Sequence, residues 1–204
     1  MDLDMKGSIE KIKKKERDKR DEEAAGYIDF VEKVYGPFRS LAYTSTVLHH
    51  MKLCSNQVWL DAGSGVGRLS LELAPRVAKV VCVDHSMESL NELKKNAQQK
   101  QLANLELIPT DLCSFGGESS YFDGILCSEV LQHIPTHEER LRGLKNLYRM
   151  LKPGGRCLIN VIRWHDSKGE VKEGYWGGNQ EIYRKYFTRE EIEQLLEEAG
   201  FNKY

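Results

Sequence analysis

Apolar positions set the frame of the chain. From Gln57 onward, short β-branched runs alternate with stretches in which apolar side chains recur at helical spacing, the pattern of βαβ units around a parallel sheet. Val58 to Asp61, Lys79 to Val83, Leu105 to Pro109, Gly124 to Ser128 and Arg156 to Ile162 read as strands. Each is nearly continuously apolar, as strands covered on both faces are. Leu90, Leu93 and Ala97 mark one intervening helix. Leu141, Leu144, Leu147, Tyr148 and Leu151 mark another, opened by Thr136 and Glu139 at capping-box spacing and stopped by Lys152-Pro153-Gly154-Gly155. Thr188 and Glu191 open a last helix that ends at Gly200. The expected architecture is α/β: a doubly wound, mostly parallel sheet with helices on both faces.

Before the first strand the pattern changes twice. Lys6 to Glu23 carries eight basic and six acidic side chains and almost no apolar ones, as a solvated helix or frayed tail does. After Gly26, the residues Tyr27, Ile28, Phe30, Val31 and Val34 recur at helical spacing; Gly36-Pro37 interrupts, and Leu41 to Met51 resumes the rhythm. The chain thus divides into a charged N-terminal arm or helix, 1–25, and one α/β domain, 26–204, since two independent domains in 204 residues would each be small.

Charge and cysteine usage narrow the class only a little. With 30 Lys plus Arg against 31 Asp plus Glu, the net charge of -1 creates no overall field toward nucleic acid or anionic lipid, which leaves nucleic-acid binding unsupported but not excluded. Cys54, Cys82, Cys113, Cys127 and Cys157 form no CxxC pair, and the charged N-terminus lacks the apolar core of a signal peptide. A reduced, cytoplasmic protein with no membrane span is expected.

The chemistry concentrates where the first strand ends. VWLDAGSGVGR, Val58 to Arg68, runs an apolar strand into a loop with Gly63, Gly65 and Gly67. Such a loop lets a ligand lie against bare backbone, and the helix start beyond it offers N–H groups to an anion. Asp84 ends the next apolar strand, 21 positions after Gly63, where a carboxylate could accept both hydroxyls of a ribose. That would suit an adenosine cofactor or NAD, but dinucleotide enzymes use GxGxxG, and here the third glycine arrives one residue early. Asp61 adds a carboxylate for the cationic end of a ligand.

These segments, in order from Val58 to Phe201, resemble class I S-adenosylmethionine-dependent methyltransferases. LDAGSGVG is similar to the family's first motif, VDHS (Val83 to Ser86) to its ribose-binding acidic motif and PTDL (Pro109 to Leu112) to its adenine-binding segment. FDGILCSEVLQHI and LKPGGRCLINV are similar to its fourth and fifth strands. The resemblance implies a Rossmann-like fold and S-adenosyl-L-methionine as cofactor. It places Asp61, Gly63, Gly65 and Gly67 at the methionine part, Asp84 with His85 at the ribose and Met87 against the adenine face. It also places Asp111 at the adenine amino group, the Leu112 backbone at the ring nitrogen and Ser128 at the end of the fourth strand.

Methyl transfer from a sulfonium is an in-line displacement, so the protein mainly aligns donor and acceptor and excludes water. A base is needed only if the acceptor must lose a proton, and Glu129 and His133 are the candidates, with His165 behind them. His133 could instead brace its loop. CSEV replaces the NPPY-like turn of enzymes that methylate base amino groups. His133 and His137 have a metal-like spacing, but Pro135 lies between them and a third ligand is missing, so no metal is expected. Trp164 to Phe187, with Tyr175, Trp176, Tyr183, Tyr186 and glycines Gly174, Gly177 and Gly178, suits a substrate lid or a cover for the sheet. A small-molecule acceptor is the leading expectation; RNA or a protein N-terminus, or a non-catalytic cofactor-binding module, are the alternatives. The family's C-terminal strand hairpin is expected to be missing, leaving the fifth strand as an edge for the N-terminal arm, the aromatic segment or a second subunit of a homodimer to cover.

Overall fold

The computed structural model describes residues 3–162, 170–173 and 182–202. Helices α1 (Leu3–Glu23), α2 (Tyr27–Tyr35) and α3 (Pro37–Met51) precede the first strand. The remainder alternates: β1 (Val58–Ala62), α4 (Ser70–Leu73), β2 (Lys79–Asp84), α5 (Met87–Gln99), β3 (Leu105–Pro109), β4 (Phe122–Ser128), α6 (His137–Met150) and β5 (Leu151–Asn160). A short antiparallel pair, β6 (Glu170–Glu173) and β7 (Ile182–Lys185), leads to α7 (Arg189–Glu198).

The main sheet has the order β3-β2-β1-β4-β5, with every pairing parallel. Because side chains alternate across a strand, each strand feeds two cores. Leu60, Ala62, Val81, Val83, Ile125 and Cys127 pack on one face with Leu144, Leu147 and Met150 of α6 and Leu195 of α7. Trp59, Val80, Cys82 and Leu126 pack on the other with Val47 and Met51 of α3, Leu73 of α4 and Leu93 of α5. The expected doubly wound α/β fold is therefore present. Strand order reverses between β1 and β4, the switch point where such sheets bind ligands beyond their carboxyl ends.

Boundaries differ from the sequence expectation at the fifth strand. It begins at Leu151 and ends at Asn160, because Phe122 pairs with Leu151 before a register shift that absorbs the Pro153-Gly154-Gly155 turn. Both capping threonines accept the backbone N–H three residues on, but only Thr188 and Glu191 form the full reciprocal box. Glu139 leaves its half open and turns its carboxylate to Lys13 and Arg142 instead.

The solvated character expected of the N-terminal arm is the main correction. α1 is a helix, yet Ile9, Glu16 and Lys19 are buried, and it packs against α5 and β7. Its inward positions carry charged side chains that meet charged partners, so a hydropathy pattern reads them as solvent-facing. No described helix is long and apolar enough to cross a membrane. Trp164, His165, Gly174, Tyr175, Trp176, Gly177 and Gly178 lie outside the described residues. Of the remaining aromatic segment, Tyr183 and Phe187 are buried, Phe187 in the core beneath α7.

Candidate active site

The site is built where β1, β2 and β4 end. β1 delivers Asp61 and the glycine loop, and Gly63 turns back so that its N–H and that of Ser64 both donate to the Val83 carbonyl. Gly63 holds φ 85° in the left-handed region, and a Cβ there would overlap the Val130 side chain, so two independent constraints require glycine. The loop is tied to the second strand by Asp84, whose carboxylate accepts from the Gly65 N–H at 2.8 Å and the Ser86 N–H at 2.9 Å.

A cavity of about 540 Å³ opens over this loop, walled by Asp61, Gly63, Ser64, Gly65, Arg68, Asp84, His85, Ser128, Glu129 and His133. A second, of about 530 Å³, adjoins it and is lined by Pro109, Thr110, Asp111 and Leu112; Gly63, Asp84 and His85 border both. The sequence candidates thus fall along one continuous cleft, with two exceptions. Gly67 lines neither cavity and instead gives Leu93 and Leu71 room to pack, while Met87 lines neither and is 50% exposed.

Asp61 is fully enclosed. Its carboxylate accepts a hydrogen bond from the Ser70 hydroxyl, but burial dominates and the neighbouring Asp84 adds to it, pushing the pKa up to about 7. Ser64 Oγ and His85 Nε2 are buried with no hydrogen-bond partner among the described residues, and both belong to the cavity wall. Orphaned polar atoms of this kind fit a polar ligand that supplies their partners. Asp111 accepts from the Cys113 N–H at 2.7 Å, and its other oxygen lies 3.3 Å from Lys13 Nζ.

His133 sits in a short 3₁₀ turn after β4, enclosed by α1 and β7. Its Nε2 lies 3.3 Å from Arg20 Nη2, a group that only donates, so Nε2 is the acceptor and Nδ1 carries the proton. Nδ1 faces Glu16 Oε1 at 3.3 Å and the Tyr183 carbonyl at 3.4 Å. Burial, reinforced by Arg20 and Arg184 against the opposing pull of Glu16, takes the imidazole down to about 4. His137 is exposed and paired with Glu198 at 3.1 Å. Glu129 holds φ 61°, a left-handed conformation uncommon for a non-glycine residue, and its N–H donates to the Asn160 carbonyl at 2.8 Å.

Several residues that line the cleft carried no usable signal in sequence. Tyr43 of α3 meets Ser128 Oγ at 2.6 Å, accepts from Asn160 Nδ2 at 2.7 Å, and bears the Arg68 guanidinium 4.6 Å above its ring. Tyr27, Phe30 and Val31 complete an aromatic and apolar wall. Only Arg68 was within reach of sequence reasoning, as the cation that directly follows the glycine loop.

Comparison with known proteins agrees with this fold. Residues 60–155 match the methyltransferase domain family. A ubiquinone biosynthesis O-methyltransferase of Coxiella burnetii is 37% identical over 103 residues, 50% of this chain but 42% of that protein, so the match spans less than half of its relative. An S-adenosylmethionine-dependent methyltransferase from Clostridium acetobutylicum superposes with a TM-score of 0.69 at 17% identity, covering 86% of each chain. The DhpI–SAH complex superposes with a TM-score of 0.72 at 18% identity, covering 93% of this chain and 87% of that one. Over residues 60–155 the chain matches the methyltransferase domain family, and its fold is the Rossmann-like one of the S-adenosylmethionine-dependent methyltransferases it resembles.

Proposed function

We propose that the protein transfers a methyl group from S-adenosylmethionine to a hydroxyl of a small molecule. The observation that carries the reading is the continuous cleft in which Asp61, Asp84 and Asp111 follow one another past a glycine loop that leaves bare backbone exposed. The residues that line its two adjoining cavities fit an amino acid, a ribose and an adenine in series. The names of the curated relatives, O-methyltransferases of ubiquinone biosynthesis, support an oxygen acceptor on a small molecule. The DhpI complex, with SAH, supports the cofactor.

When bound, the cofactor supplies an electrophilic methyl group on a sulfonium, a good leaving group. Asp61 and Arg68 would hold its ammonium and carboxylate, and Asp84 its ribose hydroxyls. Asp111 and the Leu112 backbone would hold its adenine. Tyr27, Phe30, Val31 and Tyr43 would exclude water beside the acceptor, which strengthens every polar contact within.

For the proton that a hydroxyl acceptor loses, Glu129 is the stronger candidate. It lines the same cavity, and its backbone is held in a strained conformation, which functional sites tend to retain. His133 is assigned a positioning role: its lone pair is taken by Arg20, and an imidazole at about 4 is a weak base at neutral pH. Calorimetry with S-adenosylhomocysteine, followed by a screen of phenols and other hydroxylated acceptors for its production, tests the reading. Binding with turnover of a hydroxyl acceptor is expected. No binding removes the cofactor assignment, and turnover only of amine, RNA or peptide acceptors removes the acceptor assignment.

A further inference from the structure

We propose that Tyr43 is a positioning residue for the ligand's carboxylate: its ring holds the Arg68 guanidinium beside the glycine loop, ready to meet that group. The inference rests on the S-adenosylmethionine reading of the cleft and adds to it the side chain that sets the anion-binding end.

Tyr43, Val47 and Met51 stand four residues apart and share one face of α3. Val47 and Met51 are buried with Trp59, Leu73 and Leu126, and Tyr43, one turn earlier, packs at the margin of the same core. That fixes the backbone beneath the ring. The hydroxyl is fixed separately: Asn160 Nδ2 donates to it at 2.7 Å, and Ser128 Oγ lies 2.6 Å from it. Ser128 and Asn160 are register partners at the carboxyl ends of β4 and β5, so the phenol closes a three-residue network across the end of the sheet. A ring tied down at both ends is a rigid surface for a third group to rest on.

That third group is Arg68, whose guanidinium sits 4.6 Å from the centroid of the ring. Stacking uses the flat face of the cation and leaves the N–H donors along its edge, the geometry in which a guanidinium forks a carboxylate. Among the described residues Arg68 forms no ion pair, while its charge is felt by Asp61 and Tyr27 on the same wall. Arg20, also on that wall, is already paired with Glu16 at 2.6 Å and Glu23 at 3.3 Å.

The helix after the loop does not substitute for Arg68. α4 is a single turn, Ser70–Leu73, and the Leu71 N–H is taken by the Gly67 carbonyl. So short a turn carries little of the dipole with which a longer helix holds an anion. A long arginine side chain must also be ordered before it binds, and the Tyr43 ring orders it in advance, so loss of the ring should appear as lost affinity for the carboxylate.

The test is calorimetry of the full chain with two ligands. S-adenosylhomocysteine has the carboxylate; methylthioadenosine has the same adenosine and thioether without the amino acid. The proteins compared are the unmutated chain, Tyr43→Phe, Tyr43→Leu, Arg68→Ala, the Tyr43→Leu, Arg68→Ala double variant and Ser45→Ala on the exposed side of α3. Tyr43→Leu should weaken S-adenosylhomocysteine by about five- to tenfold, and Tyr43→Phe, which keeps the ring face, by no more than about twofold. Methylthioadenosine should bind both variants within about twofold of the unmutated chain, Ser45→Ala should match it with either ligand, and Tyr43→Leu should have no further effect once Arg68 is Ala. Circular dichroism confirms folding, and Tyr43→Met replaces Tyr43→Leu if that variant unfolds. Equal weakening of the two ligands, unchanged affinity for S-adenosylhomocysteine in Tyr43→Leu, or a full effect of Tyr43→Leu without Arg68 overturns the positioning role and leaves the cofactor reading intact. If methylthioadenosine binds too weakly to measure, the cycle on S-adenosylhomocysteine decides alone. Absence of S-adenosylhomocysteine binding by the unmutated protein overturns both.

Discussion

Replacing Asp61 with Asn should change how stability depends on pH, and the sign is set by the site. The Asp61 carboxyl titrates at about 7 in the folded chain against 3.8 for a free carboxyl, chiefly through burial. The folded state therefore holds this proton more tightly, and its contribution is present below pH 4 and lost as pH rises through about 7. A shift of that size corresponds to about 4 kcal/mol. Asn can still accept from Ser70, so the substitution removes the titration while keeping the hydrogen bond. His133 works in the opposite direction: brought from 6.5 down to about 4, it destabilises the fold in acid, and that cost disappears as pH rises to about 6.5. The two terms offset each other in the unmutated chain, whose stability should vary little between pH 4 and 7 from these groups. Urea unfolding at intervals from pH 4 to 9, with the Asn variant beside it, reads the difference. The variant should gain on the unmutated protein by several kcal/mol between pH 4 and 8. A difference that stays flat over that range would refute the assigned burial of an ionisable Asp61.

Three further outcomes follow from the same geometry. Asp84→Ala should weaken S-adenosylhomocysteine binding by about 1.5 to 3 kcal/mol in calorimetry, the scale of hydrogen bonds to a charged group, and affinity equal to the unmutated protein would remove it from the ribose site. Gly63→Ala should lower stability by about 2 kcal/mol or more in thermal unfolding, because a left-handed φ and the Val130 side chain both oppose a Cβ. His133→Gln should lower stability by about 1 to 3 kcal/mol through its lost contacts and leave the pH–rate profile unaltered; loss of a limb of that profile, with stability intact, would make His133 a base after all.

The fold was legible because it is written in apolar residues. β1, β2 and β3 are apolar almost throughout, and the two cores they feed require side chains of one kind at every inward position. Register at β5 was harder, since Leu151 belongs to the strand only by pairing with Phe122 across a bulge, and no local pattern encodes a long-range pairing. Most of the proposed cofactor side of the cleft was legible for a different reason: Asp61, Gly63, Asp84 and Asp111 sit at or just beyond strand ends, where the change from apolar to polar is itself the signal. Met87 is placed differently. It follows its strand at family spacing but opens α5 on the solvent side, where nothing in the sequence marks its direction.

The side of the cleft formed by α1 was illegible on physical grounds that apply beyond one helix. A face that docks on a core repeats apolar residues every three or four positions, and the pattern betrays it. A face that docks on a polar site repeats charges instead, and Ile9, Lys13, Glu16 and Arg20 carry the same periodicity in residues that ordinarily face water. Glu16 is 3% exposed, and Arg20 and His133 both meet Oε1 of its carboxylate, while Oε2 has no hydrogen-bond partner among the described residues. Partners of the helix on the domain lie far along the chain, from the Asp21–Ser86 separation of 65 to the Lys13–Glu139 separation of 126. Burial of such a helix is decided by complementarity to a surface assembled from distant parts of the chain, which no local pattern encodes.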